Sequence, residues 1–281
     1  METTSQTAEA IFKLLADDAN DVRELMRTKL SAMPESQLRQ LRAESRRQPD
    51  HIAAELDYAL YDSIWQRLTV RLFDWREQPM SLSEAMYFLC EFAHLDFDPA
   101  GIDSCLEDLE DACRKEFDRS DANDHLQQAN AIARVLGDQH GFAGNQAEYY
   151  DPENSFIDSV LSQHFGIPVS LSAIYLLVAQ RLDVPLRGVG LPGHFIVLLE
   201  SSEPLAAYDP FRRGMCLSYL DCIQLVEQYG HTFDDSQLKP VTPRDILARS
   251  LNNLRQVYRR RNDRRFRRAV EQMLLTLQYT N

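Results

Sequence analysis

Apolar residues recur at helical spacing through the first half of the chain. From Ile11 to Met26, and again from Ile52 to Leu72, they follow steps of three, four and seven residues, which gathers them on one face of an amphipathic helix. Ser81 with Glu84 three residues later has the pattern of a capping box, in which each side chain bonds a free backbone amide, so a helix should begin there. The first half is therefore expected to be a succession of helices.

The pattern changes at Gly137, where turn-forming and aromatic residues replace the helical periodicity. After this loop, helices are expected at 155–163 and from Leu171 to Leu182. Three short apolar runs then have the composition of β-strands. They cover residues 188–190, 195–199 and 206–208.

The C-terminal segment is helical again. From Pro243, apolar residues return at helical spacing on both sides of a polar turn at Asn262 and Asp263, which predicts a hairpin of two helices resembling one tetratricopeptide repeat. A single hairpin cannot bury its own apolar face, so it should pack on the preceding region. The chain thus divides into an N-terminal helical region at 1–136, a core at 137–242 and the hairpin at 243–281. The predicted fold class is α+β, predominantly helical, with a small antiparallel sheet.

The charge distribution limits the classes of partner. A formal net charge of −13 opposes the phosphate backbone, so nucleic-acid binding is not expected. Eight arginines nevertheless crowd the C-terminal hairpin, which suggests either a solvated helix face or docking onto an acidic surface. They are Arg255, Arg259, Arg260, Arg261, Arg264, Arg265, Arg267 and Arg268.

Other composition features exclude further classes. No apolar stretch approaches the roughly 18 residues of a membrane helix and the start lacks a leader pattern, so we expect a cytoplasmic protein without membrane contact. Five scattered cysteines argue against disulfides and against a thiolate zinc site. The acidic run at 102–112 lacks the turn residues of a calcium loop, and the histidines lack a zinc spacing, so neither a metal nor a cofactor is expected.

His194 and Asp209 are the strongest candidates for catalytic residues. A histidine at the start of one strand and an aspartate at the end of the next become neighbours if the strands pair antiparallel. Asp209 would then accept a hydrogen bond from one ring nitrogen and leave the other as a general base. The same pair could equally be a packed structural contact.

Four motifs, GFAGN, YYDPENSF, GIPVSLS and GLPGHF, lie between Gly141 and Phe195. Together they resemble the transglutaminase-like superfamily, in its bacterial invasion-gene-regulator (SirB-type) branch. The resemblance implies a transglutaminase or papain-like core and extends to the flanking helices. It also implies a cysteine nucleophile at the start of a helix, followed by a histidine and an Asp-Pro pair on strands. His194 and Asp209-Pro210 match that pattern.

The chain departs from the pattern at the nucleophile, because Pro168 stands where the resemblance implies the cysteine. Proline has no nucleophilic atom but suits the first turn of a helix. Ser170 and Ser172 lie just downstream and offer a hydroxyl that His194 could activate, although both also suit a helix start. Cys216 and Cys222 follow Asp209 and would need an unusual approach to His194.

The remaining candidates concern a groove for a partner. Residues of the GFAGN and YYDPENSF motifs would line it, although the Asp-Pro pair among them also suits a simple turn. The groove or partner-binding candidates are Asn145, Tyr149, Tyr150, Asn154, Pro168, Arg260 and Arg264.

Three functional hypotheses follow. The first is a non-catalytic, protein-binding or regulatory module that uses the former active-site cleft and the arginine-rich hairpin. The second is an amidase or acyltransferase that uses a serine, with Ser170 the leading candidate, together with His194 and Asp209. In the third, His194 and Asp209 form a purely structural pair. The sequence leaves the partner and the oligomeric state open.

Overall fold

The computed structural model describes residues 2–75 and 78–278. Its α-helices are α1 (Glu2–Leu15), α2 (Asn20–Ser31), α3 (Glu35–Glu44), α4 (Asp50–Asp74), α5 (Leu82–Ala93), α6 (Pro99–Ser120), α7 (His125–Arg134), α8 (Ile157–Gln163), α9 (Pro168–Arg181), α10 (Tyr219–Gln228), α11 (Pro243–Arg260) and α12 (Arg264–Gln278). Its strands are β1 (Ala143–Gly144), β2 (Phe165–Gly166), β3 (Leu186–Val189), β4 (Ile196–Leu199), β5 (Ala207–Asp209) and β6 (Met215–Leu217). The fold is the predominantly helical α+β arrangement that the sequence predicts.

One compact unit comprises Met1–Asp74 with Glu91–Phe97. The long helix α4 is its centre, and α1, α2 and α3 pack against it. The regularly spaced apolar residues of α4 from Ile52 to Leu72 are buried, whereas Val70 and Phe73 are exposed. The indole nitrogen of Trp65 donates a hydrogen bond of 2.9 Å to the carbonyl of Phe92. The helical periodicity of α4 therefore identifies its core residues, but the periodic positions Leu14 and Leu25 in α1 and α2 are exposed.

The other compact unit comprises Trp75–Cys90 with Asp98–Asn281. Its central helix is α9, which contacts α6, α7, α8 and α11 as well as β3 and β4. Residues 168–179 of α9 are all buried, since this helix is apolar around most of its circumference. The predicted capping box is present at the start of α5, where the Glu84 amide bonds the Ser81 hydroxyl and the Ser81 amide bonds the Glu84 carboxylate.

Strands β3 to β6 form one antiparallel sheet in chain order, and β1 pairs with β2 in parallel. One face of the larger sheet looks towards α9, where a Leu176 methyl lies 3.2 Å from the position of a Cβ at Gly188. The other face packs on α10 in an apolar cluster. Its buried members are Val189, Leu191, Ile196, Ala207, Leu217, Cys222, Leu225 and Val226.

The boundaries of the two compact units differ from those of the predicted segments 1–136, 137–242 and 243–281. Helices α6 and α7 pack on α9, so they belong to the same compact unit as the predicted core, and α1 to α4 do not. A buried carboxylate on α6 ties these helices together, because Glu116 accepts hydrogen bonds from Arg119, Arg134 and Gln139. Burial acts to raise the pKa of Glu116, but these hydrogen bonds outweigh it and hold that pKa below its usual value.

Helices α11 and α12 form the C-terminal hairpin, with a turn at residues 261–263. A capping box of Thr242 and Asp245 begins α11. The hairpin packs on α9 and on the short turn Pro152–Ser155. It therefore buries its apolar face against the core, as a single hairpin requires.

Candidate functional site

The antiparallel pairing of β4 and β5 brings His194 and Asp209 together. His194 Nε2 lies 2.9 Å from Asp209 Oδ1, and the two residues are only 2% and 0% exposed. The backbone amide of Phe211 donates a second hydrogen bond of 3.0 Å to the same carboxylate oxygen. A carboxylate in this position holds the proton on Nε2, so that Nδ1 is left as the proton acceptor.

Two aromatic rings flank the His194 imidazole. Phe211 meets it edge-on at 5.9 Å between ring centres, and Tyr229 stacks at 6.2 Å with an interplanar angle of 18°. Two glycines make room for these rings. A Cβ at Gly193, where φ is +73°, would lie 2.5 Å from Tyr229 Cγ, and a Cβ at Gly144 would lie 2.3 Å from the Phe211 ring. Glycines of the GFAGN and GLPGHF motifs thus shape the surroundings of His194.

Several buried polar atoms at this site have no hydrogen-bond partner among the described residues. They include Nδ1 of His194, Oδ2 of Asp209 and the hydroxyl of Tyr175. Arg212 Nε approaches Asp209 Oδ2 at 3.6 Å, which is an ion-pair distance but too long for a hydrogen bond. The histidine therefore has the orientation of a general base, with its acceptor nitrogen unoccupied.

At the nearby start of α9, Pro168 and Ser170 do not offer a free nucleophile. Pro168 is the first residue of the helix and is buried. The Ser170 hydroxyl donates a hydrogen bond of 2.5 Å to the carbonyl of Asn154 and accepts one of 3.1 Å from the amide of Ile167. Its proton and one lone pair are thus committed to the helix start. The Ser172 hydroxyl is buried and has no hydrogen-bond partner among the described residues; Ser172 lies about 200° around the helix from Ser170 and so points in a different direction.

Neither cysteine near Asp209 is placed as a reactive thiol. Cys216 pairs with Tyr208 in the register of β5 and β6, so it projects from the sheet face opposite to that of Asp209. Cys222 is fully buried in the apolar cluster beneath the sheet, and burial raises the pKa of its thiol to about 11. A nucleophilic cysteine requires the opposite shift.

The buried side chain of Asn154 holds the loop that precedes α8 in place. Its side-chain nitrogen donates to the carbonyls of Glu148 at 2.7 Å and Tyr149 at 3.3 Å, and its oxygen accepts from Asn145 at 3.0 Å. The Asn145 oxygen in turn accepts a hydrogen bond from the amide of Glu148. Asn154 is fully buried, so the structure places it behind the groove while Tyr149 and Tyr150 are on the surface.

A cleft of about 730 Å³ lies beside the His194 backbone. Aromatic side chains line it, namely Tyr149, Tyr150, Tyr229 and Phe195, together with Asp245, Asn252, Asn253 and Gln256 from α11. Arg249 also lines the cleft, and its Nη2 donates to the carbonyls of Leu191 at 2.8 Å and His194 at 2.7 Å. Burial lowers the pKa of the Arg249 guanidinium.

The arginine-rich hairpin touches the same loop. The Arg260 guanidinium stacks 3.9 Å above the centre of the Tyr150 ring, and Arg261 pairs with Asp151 at 3.2 Å. Arg264 is exposed at the start of α12. A second groove of about 970 Å³ follows along the hairpin. It is lined by Arg255, Gln256, Arg259, Arg260, Arg267 and Glu271.

Sequence reasoning missed Arg249 and the rings of Phe211 and Tyr229. A signal for Arg249 was present, because Asp245, Arg249, Asn252 and Gln256 form a polar stripe at helical spacing beside the apolar stripe of α11. The two rings had no such signal, since their proximity to His194 depends on the tertiary fold. No group of three or more His, Cys, Asp or Glu side chains within 2–75 and 78–278 is placed to hold a metal ion. In the same residues, no helix is both long and apolar enough to cross a membrane.

Comparison with known proteins places these residues in a family context. The sequence model of the transglutaminase-like superfamily matches residues 101–252. A UPF0162 protein of Xylella fastidiosa is 40% identical over 138 residues, which are 47% of this chain and 49% of that protein. F-box only protein 21 of Mus musculus is 33% identical over 133 residues, or 44% of this chain and 21% of that protein.

Protein SirB1 of Salmonella typhimurium is 30% identical over 131 residues, which are 47% of each chain. The chain thus spans about half the length of its bacterial relatives and about a fifth of the F-box protein. No solved structure matches the chain.

Proposed function

The chain belongs to the transglutaminase-like superfamily, and we propose that it is a non-catalytic member that acts as a protein-binding or regulatory module. The observation that carries this proposal is the start of α9. Pro168 is the first helical residue, and the Ser170 hydroxyl is bonded to Asn154 and Ile167. His194 and Asp209 keep the geometry of a base and its orienting carboxylate, and among the described residues no hydroxyl or thiol lies within hydrogen-bond distance of His194 Nδ1.

Binding remains possible on the same surface after catalysis is lost. The cleft beside His194 is open, and the arginine-rich hairpin, including Arg260 and Arg264, adjoins it. Since one fold can support either catalysis or recognition, the loss of the nucleophile need not remove the cleft. A cytoplasmic location and a tetratricopeptide-like role of the hairpin in recognition are parts of this proposal. The location rests on five free, scattered cysteines, which suit a reducing compartment.

The test is covalent labelling of the purified protein with a fluorophosphonate, which reports activated serines, and with a vinyl sulfone, which reports activated thiols. We expect no labelling that depends on His194. Labelling that is lost in His194→Ala would establish the amidase or acyltransferase alternative and end the proposal. Mapping the adduct to Ser170 or Ser172 would identify the nucleophile.

The third hypothesis, a purely structural histidine–aspartate pair, is favoured by the 2% exposure of His194. It predicts that His194→Ala lowers the melting temperature but leaves affinity for a protein partner unchanged. A binding role of the cleft predicts reduced affinity in Tyr149→Ala, which removes an exposed ring at little cost in stability. Thermal denaturation and affinity measurements on these two variants separate the hypotheses.

A further inference from the structure

Arg249 is a half-buried cation with no acidic partner. No carboxylate lies within 4.0 Å of its guanidinium among the described residues. The nearest acidic residue on α11, Asp245, is engaged in the cap of that helix with Thr242. Removing a guanidinium from water without a counterion costs free energy, so this position favours an anion supplied by a ligand.

The guanidinium is held ready for such an anion. The two backbone carbonyls that accept from Nη2 fix its orientation. Nη1 points towards Gly190, which lines the cleft and has no side chain, since Nη1 lies 3.3 Å from the position of a Cβ there. An arginine fixed in this way presents its remaining donors in the planar geometry that matches a carboxylate.

The rest of the cleft suits a peptide. Asn252, Asn253 and Gln256 each provide a donor and an acceptor, which are the two groups that a peptide main chain requires. Tyr149 and Tyr229 provide aromatic surface in the same cleft for the side chains of such a peptide. A free anion would need none of these contacts.

The basic groove continues from the cleft. Gln256 lines both the cleft and the groove. Tyr150 of the cleft also stacks under Arg260 of the groove. Four arginines and a single glutamate border the groove, in a chain whose net charge is −13. A ligand that extends from the cleft into the groove would therefore meet positive charge at both places.

We propose that the cleft and the basic groove together bind an extended acidic peptide segment of a protein partner, with one of its carboxylates on Arg249. This inference rests on the proposed function and specifies the chemistry of its partner. The negative charge on the rest of the chain repels the phosphates of a nucleic acid over a longer range. A short acidic peptide segment, in contrast, contacts only the basic surface.

The probe is a fluorescein-labelled twelve-residue peptide of Glu-Tyr-Glu-Ala repeats, with a twin in which glutamine replaces every glutamate. Fluorescence anisotropy with the full chain measures both. We expect the acidic peptide to bind at least tenfold more tightly, and Arg249→Gln to weaken it about tenfold or more, as loss of a charge-assisted hydrogen bond predicts.

Arg244→Gln is the matched control. Arg244 lies on the same helix, and it donates to a backbone carbonyl, that of Leu277, but it does not line the cleft. Its variant should bind within about twofold of the parent protein. Should Arg249→Gln fail to fold, Arg255→Gln, on the exposed rim of the groove, is the second variant and should weaken the acidic peptide about threefold.

Four results would overturn the inference. They are no binding of the acidic peptide up to about 1 mM, equal binding of its glutamine twin, equal effects of Arg249→Gln and Arg244→Gln, and equally effective competition by free glutamate or by a single-stranded oligonucleotide. None of these results bears on covalent labelling. Failure of the proposed function would instead appear as labelling that depends on His194.

Discussion

Replacing Asn154 by alanine should loosen the loop that carries Tyr149 and Tyr150. The variant removes three side-chain hydrogen bonds, to Glu148, Tyr149 and Asn145, from a residue that is fully buried. At about 1 kcal/mol net for each bond, and more where a buried carbonyl is left without a partner, the expected loss is about 2–4 kcal/mol. The backbone carbonyl of Asn154 remains, so its bonds to Ile167 and Ser170 are not removed directly.

Hydrogen exchange measured by mass spectrometry is the appropriate assay, because it reports opening of one segment separately from unfolding of either compact unit. A loss of 2–4 kcal/mol predicts exchange that is roughly 30- to 700-fold faster in peptides covering residues 142–156. Peptides from α4, in the other compact unit, should exchange at the parent rate.

Asn145→Ala is the control for this prediction. It removes two of the loop's hydrogen bonds, to Asn154 and from Glu148, at a position that is only partly buried, so a smaller loss of about 1–2 kcal/mol is expected. If loop exchange in Asn154→Ala stayed within threefold of the parent protein, or if the two variants behaved alike, Asn154 would not be the residue that fixes the loop.

Three further predictions concern the surroundings of the site. Pro168→Cys should create a thiol whose pKa lies below the ordinary value for cysteine, measured from the pH dependence of iodoacetamide alkylation. Adding His194→Ala should raise that pKa. A thiol with an ordinary pKa would mean that the nucleophile position of the superfamily is not residue 168. Gly193→Ala should lower stability by about 1–2 kcal/mol in urea titrations, because of its positive φ and the Tyr229 ring, and an unchanged midpoint would contradict this. Glu116→Gln should lower stability at neutral pH but not at low pH. The pKa of the Glu116 carboxyl is lower in the folded protein than in the unfolded chain, so the ionised carboxylate stabilises the fold above about pH 4.5. That stabilisation is lost as the pH falls through the pKa of the folded state. A stability difference that persisted at pH 2 would show that Glu116 acts through packing alone.

The helices were predictable from sequence because each depends on local periodicity and local capping. Ser81 with Glu84 illustrates this, since both partners of the cap lie within one helical turn. The pairing of His194 with Asp209 was also accessible, because only one short connection separates their strands and antiparallel pairing is the simplest outcome. The helix expected at 155–163 instead begins at Ile157, after a tight turn at Pro152–Ser155.

The features that escaped prediction depend on distant contacts. Strand β6 is three residues long, and its existence depends on pairing with β5. Asn154 and Ser170 have the polarity of groove or nucleophile candidates, yet the Asn154 side chain donates to the carbonyl of Glu148 and the Ser170 hydroxyl donates to the carbonyl of Asn154, so internal hydrogen bonds occupy both. Arg249 belongs to a polar stripe of α11 that is visible in the sequence, but it is one arginine among many there, and the fold is needed to place it in the lining of the cleft.

The cleft extends across the end of the superfamily match. Tyr149, Tyr150 and Tyr229 lie inside the matched residues 101–252, whereas Gln256 and Val257, on the same helix as Arg249, lie beyond them. The lining of the cleft is therefore built mostly by residues inside the match and partly by sequence outside it. Sequence change confined to the last turns of α11 would alter the shape and polarity of the cleft while leaving His194, Asp209 and the aromatic lining unchanged.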